Sequence, residues 1–169
     1  IPYEAKGTYA TIIMVEPFKK NNKSNISIKI RYAVRININV SAPGLRENAD
    51  IKYLKICSNK NNSPIAKMRI KNISPLLFNV SGEVIIRDET RRLIQRIKVR
   101  SENAKKAGRN ETNIYPGSEV IFSGEVTEPL TPGKYDLQAF IQYADGKQLI
   151  ERKTIEIGDE FVNPDNMDY

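Results

Sequence analysis

Between residues 26 and 40 every second side chain is apolar: Ile26, Ile28, Ile30, Tyr32, Val34, Ile36, Ile38 and Val40. Ser27, Lys29, Arg31, Ala33, Arg35, Asn37 and Asn39 fill the positions between them. A period of two matches the pleat of a β-strand, whose side chains alternate between faces, and cannot form one stripe on a helix. At ~3.3 Å per residue the run would span ~50 Å. It therefore predicts one long strand, bent, bulged or shared between two pairing partners. Ser41-Ala42-Pro43-Gly44 then breaks the pattern.

The same alternation governs the rest of the chain, and helical spacing is almost absent. Residues 9–15 (YATIIMV) predict a strand stopped at Glu16-Pro17, followed by the polar loop FKKNNKSN. Beyond the break, strands are expected at 51–57, at Ile65 to Asn72, and at 78–87, where Phe78, Val80, Gly82, Val84 and Ile86 alternate. Further strands are expected at 93–99, 119–126, 134–143 and 149–157, the last two joined by a hairpin turn at Asp145-Gly146. Residues 101–113 read as a polar loop with room for a helical turn at 104–107. Seven short strands with turn residues between them predict an all-β, immunoglobulin-like antiparallel β-sandwich over 49–158. Residues 43–48 form its linker and 159–169 an acidic tail. Pro132-Gly133-Lys134-Tyr135 suits a tyrosine corner, with the ring packed and the hydroxyl bonded to backbone. Residues 1–42 hold only two strands, which cannot enclose a core. They are expected to be the C-terminal strands of a second, truncated domain of the same kind.

The chemistry available is narrow. The 169 residues include no histidine and a single cysteine, Cys57. The usual base near neutral pH, an internal disulfide and a cysteine zinc site are thereby excluded. No Gly-rich phosphate loop or Gly-x-Ser-x-Gly occurs, and the acidic pairs Asp88-Glu89 and Asp159-Glu160 fall beside turns, where solvated carboxylates are ordinary. The expectation is a non-enzymatic protein without metal or cofactor. No apolar run approaches the ~18 residues of a membrane span.

A net charge of +7 is concentrated at one end, where residues 1–42 carry seven bases against two acids. Those bases alternate with apolar residues and lack interleaved stacking aromatics. That pattern suits solvated strand faces and not nucleic acid. Asn-x-Ser/Thr triplets at Asn25, Asn61, Asn72, Asn79 and Asn110 are read as chance in an Asn-rich chain. The opening Ile1-Pro2-Tyr3 implies a removed leader or a longer parent chain.

The order Gly7-x-Tyr9 through Glu16-Pro17, a polar loop, then the run through Ile28, Ile30-Arg31-Tyr32-Ala33-Val34-Arg35-Ile36, Ile38 and Val40 resembles the end of the first domain of periplasmic pilus-assembly chaperones. The second segment is similar to immunoglobulin-like modules of bacterial surface proteins. The resemblance implies a periplasmic or cell-surface bacterial protein that pairs with a protein partner, a pilin-like subunit or the rest of its own longer chain. It implies Arg35 as the anchor for a partner's terminal carboxylate, with Val34, Ile36 and Ile38 as the apolar residues that accept a strand. From its position alone, Arg35 reads as a solvent-facing strand residue. A structural or adhesive module is the alternative function.

Overall fold

The computed structural model describes residues 4–16, 30–61 and 63–158. Residues 26–29 of the expected long strand, the triplet at Asn25, the pair Asp159-Glu160 and the tail 159–169 lie outside the described residues. The chain divides into two compact units, Ile1–Leu45 and Arg46–Tyr169.

The first unit is a two-stranded antiparallel sheet of β1 (Gly7–Val15) and β2 (Tyr32–Val40), in register from Gly7 opposite Val40 to Val15 opposite Tyr32. The strand expected over 26–40 starts only at Tyr32; Ile30 and Arg31 precede it without strand geometry. Alternation specifies facing, whereas strand length is set by the ladder. β1 stops at Val15, and Glu16 and Arg31 beyond it meet through an ion pair and not through the ladder.

The second unit is an all-β sandwich. β3 (Ala49–Ser58), β4 (Pro64–Asn72) and β8 (Glu119–Glu125) form one antiparallel sheet in the order β3-β4-β8. β5 (Phe78–Asp88), β6 (Leu93–Val99), β9 (Gly133–Tyr143) and β10 (Lys147–Ile157) form the other, ordered β10-β9-β5-β6. The short β7 (Thr112–Ile114) pairs with the start of β5. One core lies between the sheets. Leu54, Met68, Ile70 and Phe122 from the first meet Val80, Val84, Ile86, Leu137 and Ile141 from the second, each at most 1% exposed. Aliphatic packing on this scale can hold a domain of ~110 residues without a disulfide.

Local irregularities obey the same logic. In β3 the buried positions shift from Ala49 to Leu54 and Ile56 because a bulge between Ile51 and Tyr53 resets which residues face inward. Gly124 allows β8 to approach β6: a Cβ there would meet Ile97 and stand 2.7 Å from the Lys98 carbonyl. Just beyond, Arg100 and Ser123 exchange backbone hydrogen bonds of 3.0 Å, tying the two sheets along that side. Tyr135 is buried, and its hydroxyl donates to the Thr131 carbonyl at 2.8 Å.

Among its described residues unit two has eight strands against the seven expected, and a one-turn helix lies where the loop had room for a helical turn. The helix α1 (Glu102–Lys106) is capped by the Ser101 hydroxyl, which accepts from the Ala104 amide at 3.2 Å. β7 is three residues long, too short to display a period.

Candidate partner-binding site

Cross-strand register decides which side chains of β1 and β2 share a face. Gly7, Tyr9, Thr11, Ile13 and Val15 stand opposite Val40, Ile38, Ile36, Val34 and Tyr32. In an antiparallel pair, residues directly opposite project to the same side. This face therefore carries no charge and eight large apolar or aromatic-type side chains apart from Gly7 and Thr11. Among the described residues no second layer covers them. Tyr9 is 49% exposed, Ile13 48%, Val34 46% and Ile38 44%. The same residue types are fully buried in the sandwich, so the exposure reflects a missing layer and not the amino acids.

The opposite face mixes chemistries. Thr8, Ala10, Ile12 and Met14 stand opposite Asn39, Asn37, Arg35 and Ala33. The Thr8 hydroxyl donates to Asn39 Oδ1 at 2.8 Å, and Arg31 forms an ion pair with Glu16 at the far end. Val34, Ile36 and Ile38 thus lie together on the uncharged face, while Arg35 lies on the other side, exposed and opposite Ile12. Ile36 is 36% exposed. The only hydrogen-bond ladder either strand makes among the described residues is with the other, so both outer edges are open.

The other residues singled out in the sequence are structural. Asp88 organises the β5–β6 turn: its carboxylate accepts from the Thr90 amide and hydroxyl at 3.0 and 2.7 Å, and from the Arg92 amide at 2.9 Å. Those bonds, the Thr90 hydroxyl foremost, hold its carboxyl below the ordinary range. Glu89 accepts from the Lys134 amide at 3.3 Å. Cys57 is partly buried on β3 opposite Ile65. Among the described residues no group of three or more His, Cys, Asp or Glu could hold a metal ion, and no helix is long and apolar enough to cross a membrane.

Asn72 is a residue whose role the sequence reading missed. Its side chain is fully buried and fully bonded. Nδ2 donates to the Leu76 and Ile114 carbonyls at 2.7 and 2.9 Å, and Oδ1 accepts from the Ser74 amide and hydroxyl at 2.8 and 2.9 Å. The signal was present: an Asn two residues before Ser at a strand end is an Asx-turn pattern. The Asn72 amide leaves no hydrogen free for a glycan.

No protein-family model matches the chain, and no curated protein matches it.

Proposed function

We propose that this is a non-enzymatic, extracytoplasmic bacterial protein that binds a protein partner through the β1–β2 sheet, in the manner of a pilus-assembly chaperone. One observation carries the reading: a nine-residue-long sheet face without a charge stands unlayered, with both edges open. An exposed apolar surface of this kind marks an interaction site, and an open edge can add a partner strand through main-chain hydrogen bonds. In this reading Val34, Ile36 and Ile38 accept alternate apolar side chains of the partner. Arg35, on the opposite face, holds the partner's terminal carboxylate through a charge-assisted pair.

The immunoglobulin-like character of the second unit is part of the proposal. It is supported by a three-stranded sheet facing a five-stranded one, β7 included, and by the Tyr135 hydroxyl bonded four residues upstream. A specific observation favours the second reading, a structural or adhesive module. The edge strands of the sandwich are guarded by charge, with Lys52 and Lys55 on β3 and Glu151, Arg152 and Lys153 on β10. Under that reading the partner for β1–β2 is more of the same polypeptide.

A synthetic peptide of alternating apolar residues, with either a free or an amidated C-terminus, tests the assignment by calorimetry. Binding to the wild-type chain should weaken roughly tenfold to a hundredfold on amidation or in Arg35→Ala, the loss of one charged hydrogen bond. Equal binding by Arg35→Ala removes the anchor. Failure of both peptides to bind, with Ile13→Asp no different from wild type, removes the pairing.

A further inference from the structure

The outer face of the β10-β9-β5-β6 sheet should be a solvated ladder, yet its middle is apolar. Ile85 is only 3% exposed although it stands outside the core between the sheets. Beside it Phe140 is half-buried, and Ile150, its cross-strand partner on β10, is 46% exposed. Toward one end of this stripe opens a groove of about 380 Å³ that crosses from β6 to β10, with Phe140 in its lining.

The two ends of this face treat their polar groups differently. Away from the groove the partners are internal, as where Thr154 donates to Asp136 at 2.7 Å, and Arg96 draws Glu83, which lines the groove opposite Lys98, into a pair at 3.1 Å. The groove's other charged and amide side chains are not so held. Lys98 and Arg100 enter from the β6 side, Gln142 and Gln148 from β9 and β10, and Asn110 from the loop before β7. None of these five side chains makes a hydrogen bond or ion pair among the described residues. With the one carboxylate of the lining, Glu83, held by Arg96, two cations without an ion pair and three amides without partners converge on one ring.

We propose that this groove binds a carboxylated sugar. The carboxylate sits between Lys98 and Arg100, the hydroxyls bond to Asn110, Gln142 and Gln148, and the C–H face of the ring lies on Phe140. Each element answers to an observation. Unpaired cations call for an anion, and a guanidinium matches a carboxylate in two parallel bonds. Amides, which both donate and accept, match hydroxyls, which do the same. The volume lies at the small end of ligand sites, enough for one or two sugar rings. A peptide strand is poorly served, because the groove runs across four strands and offers no free backbone ladder. The assignment is independent of the pairing proposed for β1–β2.

Titrating sialyllactose, glucuronic acid, lactose and inorganic phosphate into the isotope-labelled full chain tests it. At about 10 mM, tenfold above a millimolar dissociation constant, the two carboxylated sugars should shift amide signals around residues 81–83, 98–100, 140–142 and 148. Lactose and phosphate should leave them in place. Arg100→Gln should weaken the carboxylated sugars roughly tenfold or more, and Phe140→Leu, which keeps the packing volume, should weaken them as well. The unchanged spectrum of residues away from the groove shows that each variant is folded. Shifts of equal size with lactose, shifts with phosphate alone, or no shift with either acid sugar would each overturn the proposal.

Discussion

β2 and β5 carry the same sequence pattern and meet opposite fates. In β5, Val80, Val84 and Ile86 recur on one parity and are wholly buried; in β2, Val34, Ile36 and Ile38 do the same and are exposed. Propensity and period are equal in the two strands. What differs is the layer across from them: β5 faces the β3-β4-β8 sheet, and among the described residues β2 has only β1 beside it. Burial of a Val or Ile side chain contributes about 1.5–3 kcal/mol. The sandwich realises that stabilisation within its own chain, and the two-stranded sheet leaves it to a partner. Only part of it would appear as affinity, because association carries its own entropic cost.

The comparison is most exposed to a paired substitution. Phe122→Ala removes the largest fully buried side chain and should cost about 3–5 kcal/mol, the lost transfer energy plus a cavity. Ile36→Ala, which would cost about 2–5 kcal/mol at a buried site, should change stability far less, by about 0.5–1 kcal/mol, because that side chain is 36% exposed and lies in no core. Urea unfolding of both variants measures the contrast. A large loss in Ile36→Ala would mean that β1–β2 is covered in solution and that the two regions are alike after all.

A smaller loss separates the polar part of the sandwich from its apolar part. Asn72→Ala takes a partner from the Ile114 carbonyl and the Ser74 amide and leaves the Leu76 carbonyl only the Ser74 hydroxyl at 3.3 Å. Leaving a buried polar group unsatisfied costs about 1–3 kcal/mol, and partial rewetting of the loop should hold the total to roughly 2–4 kcal/mol. Amide exchange should report the loss first in β7 and in the 73–77 loop, both of which Asn72 ties down. Uniform loss across β3–β10 would instead make Asn72 an ordinary core residue.

Much of this fold was legible because facing is a local property. The alternation in β5, and the Gly133-x-Tyr135 start of β9, reported strands and a corner directly. What escaped depended on partners remote in sequence. The true start of β2 at Tyr32 depends on where β1 ends, and the parity change in β3 depends on a bulge against β4. Asn72 bonds to Ile114, 42 positions away. The uncharged face was visible as eight alternating apolar residues, but its exposure was visible only once the opposite layer was found missing. The groove was the least legible feature. It draws residues from β5, β6, β9, β10 and a loop, and no motif joins them.

The smallest expected effect belongs to the one strap that ties the segment before β3 to β10. Lys147 Nζ donates to Glu47 Oε2 at 2.8 Å and to the Glu47 carbonyl at 3.1 Å. The hydrogen bond from Lys147, then a backbone bond and the lysine charge, holds the Glu47 carboxyl below its ordinary value despite slight desolvation. A carboxyl whose folded value is depressed binds its proton more readily in the unfolded chain. Its contribution is therefore complete above the ordinary glutamate range and is lost as pH falls through that range to the lower folded value. Both groups are substantially solvated, with side chains 31% and 40% exposed, so screening keeps the contribution below about 0.5 kcal/mol. Urea midpoints at neutral and acid pH should fall slightly further in the wild type than in Glu47→Gln, and added salt should narrow the gap. Equal falls would show that the strap adds geometry to the sandwich edge and no stability, leaving the apolar layer as the whole of the difference between the two units.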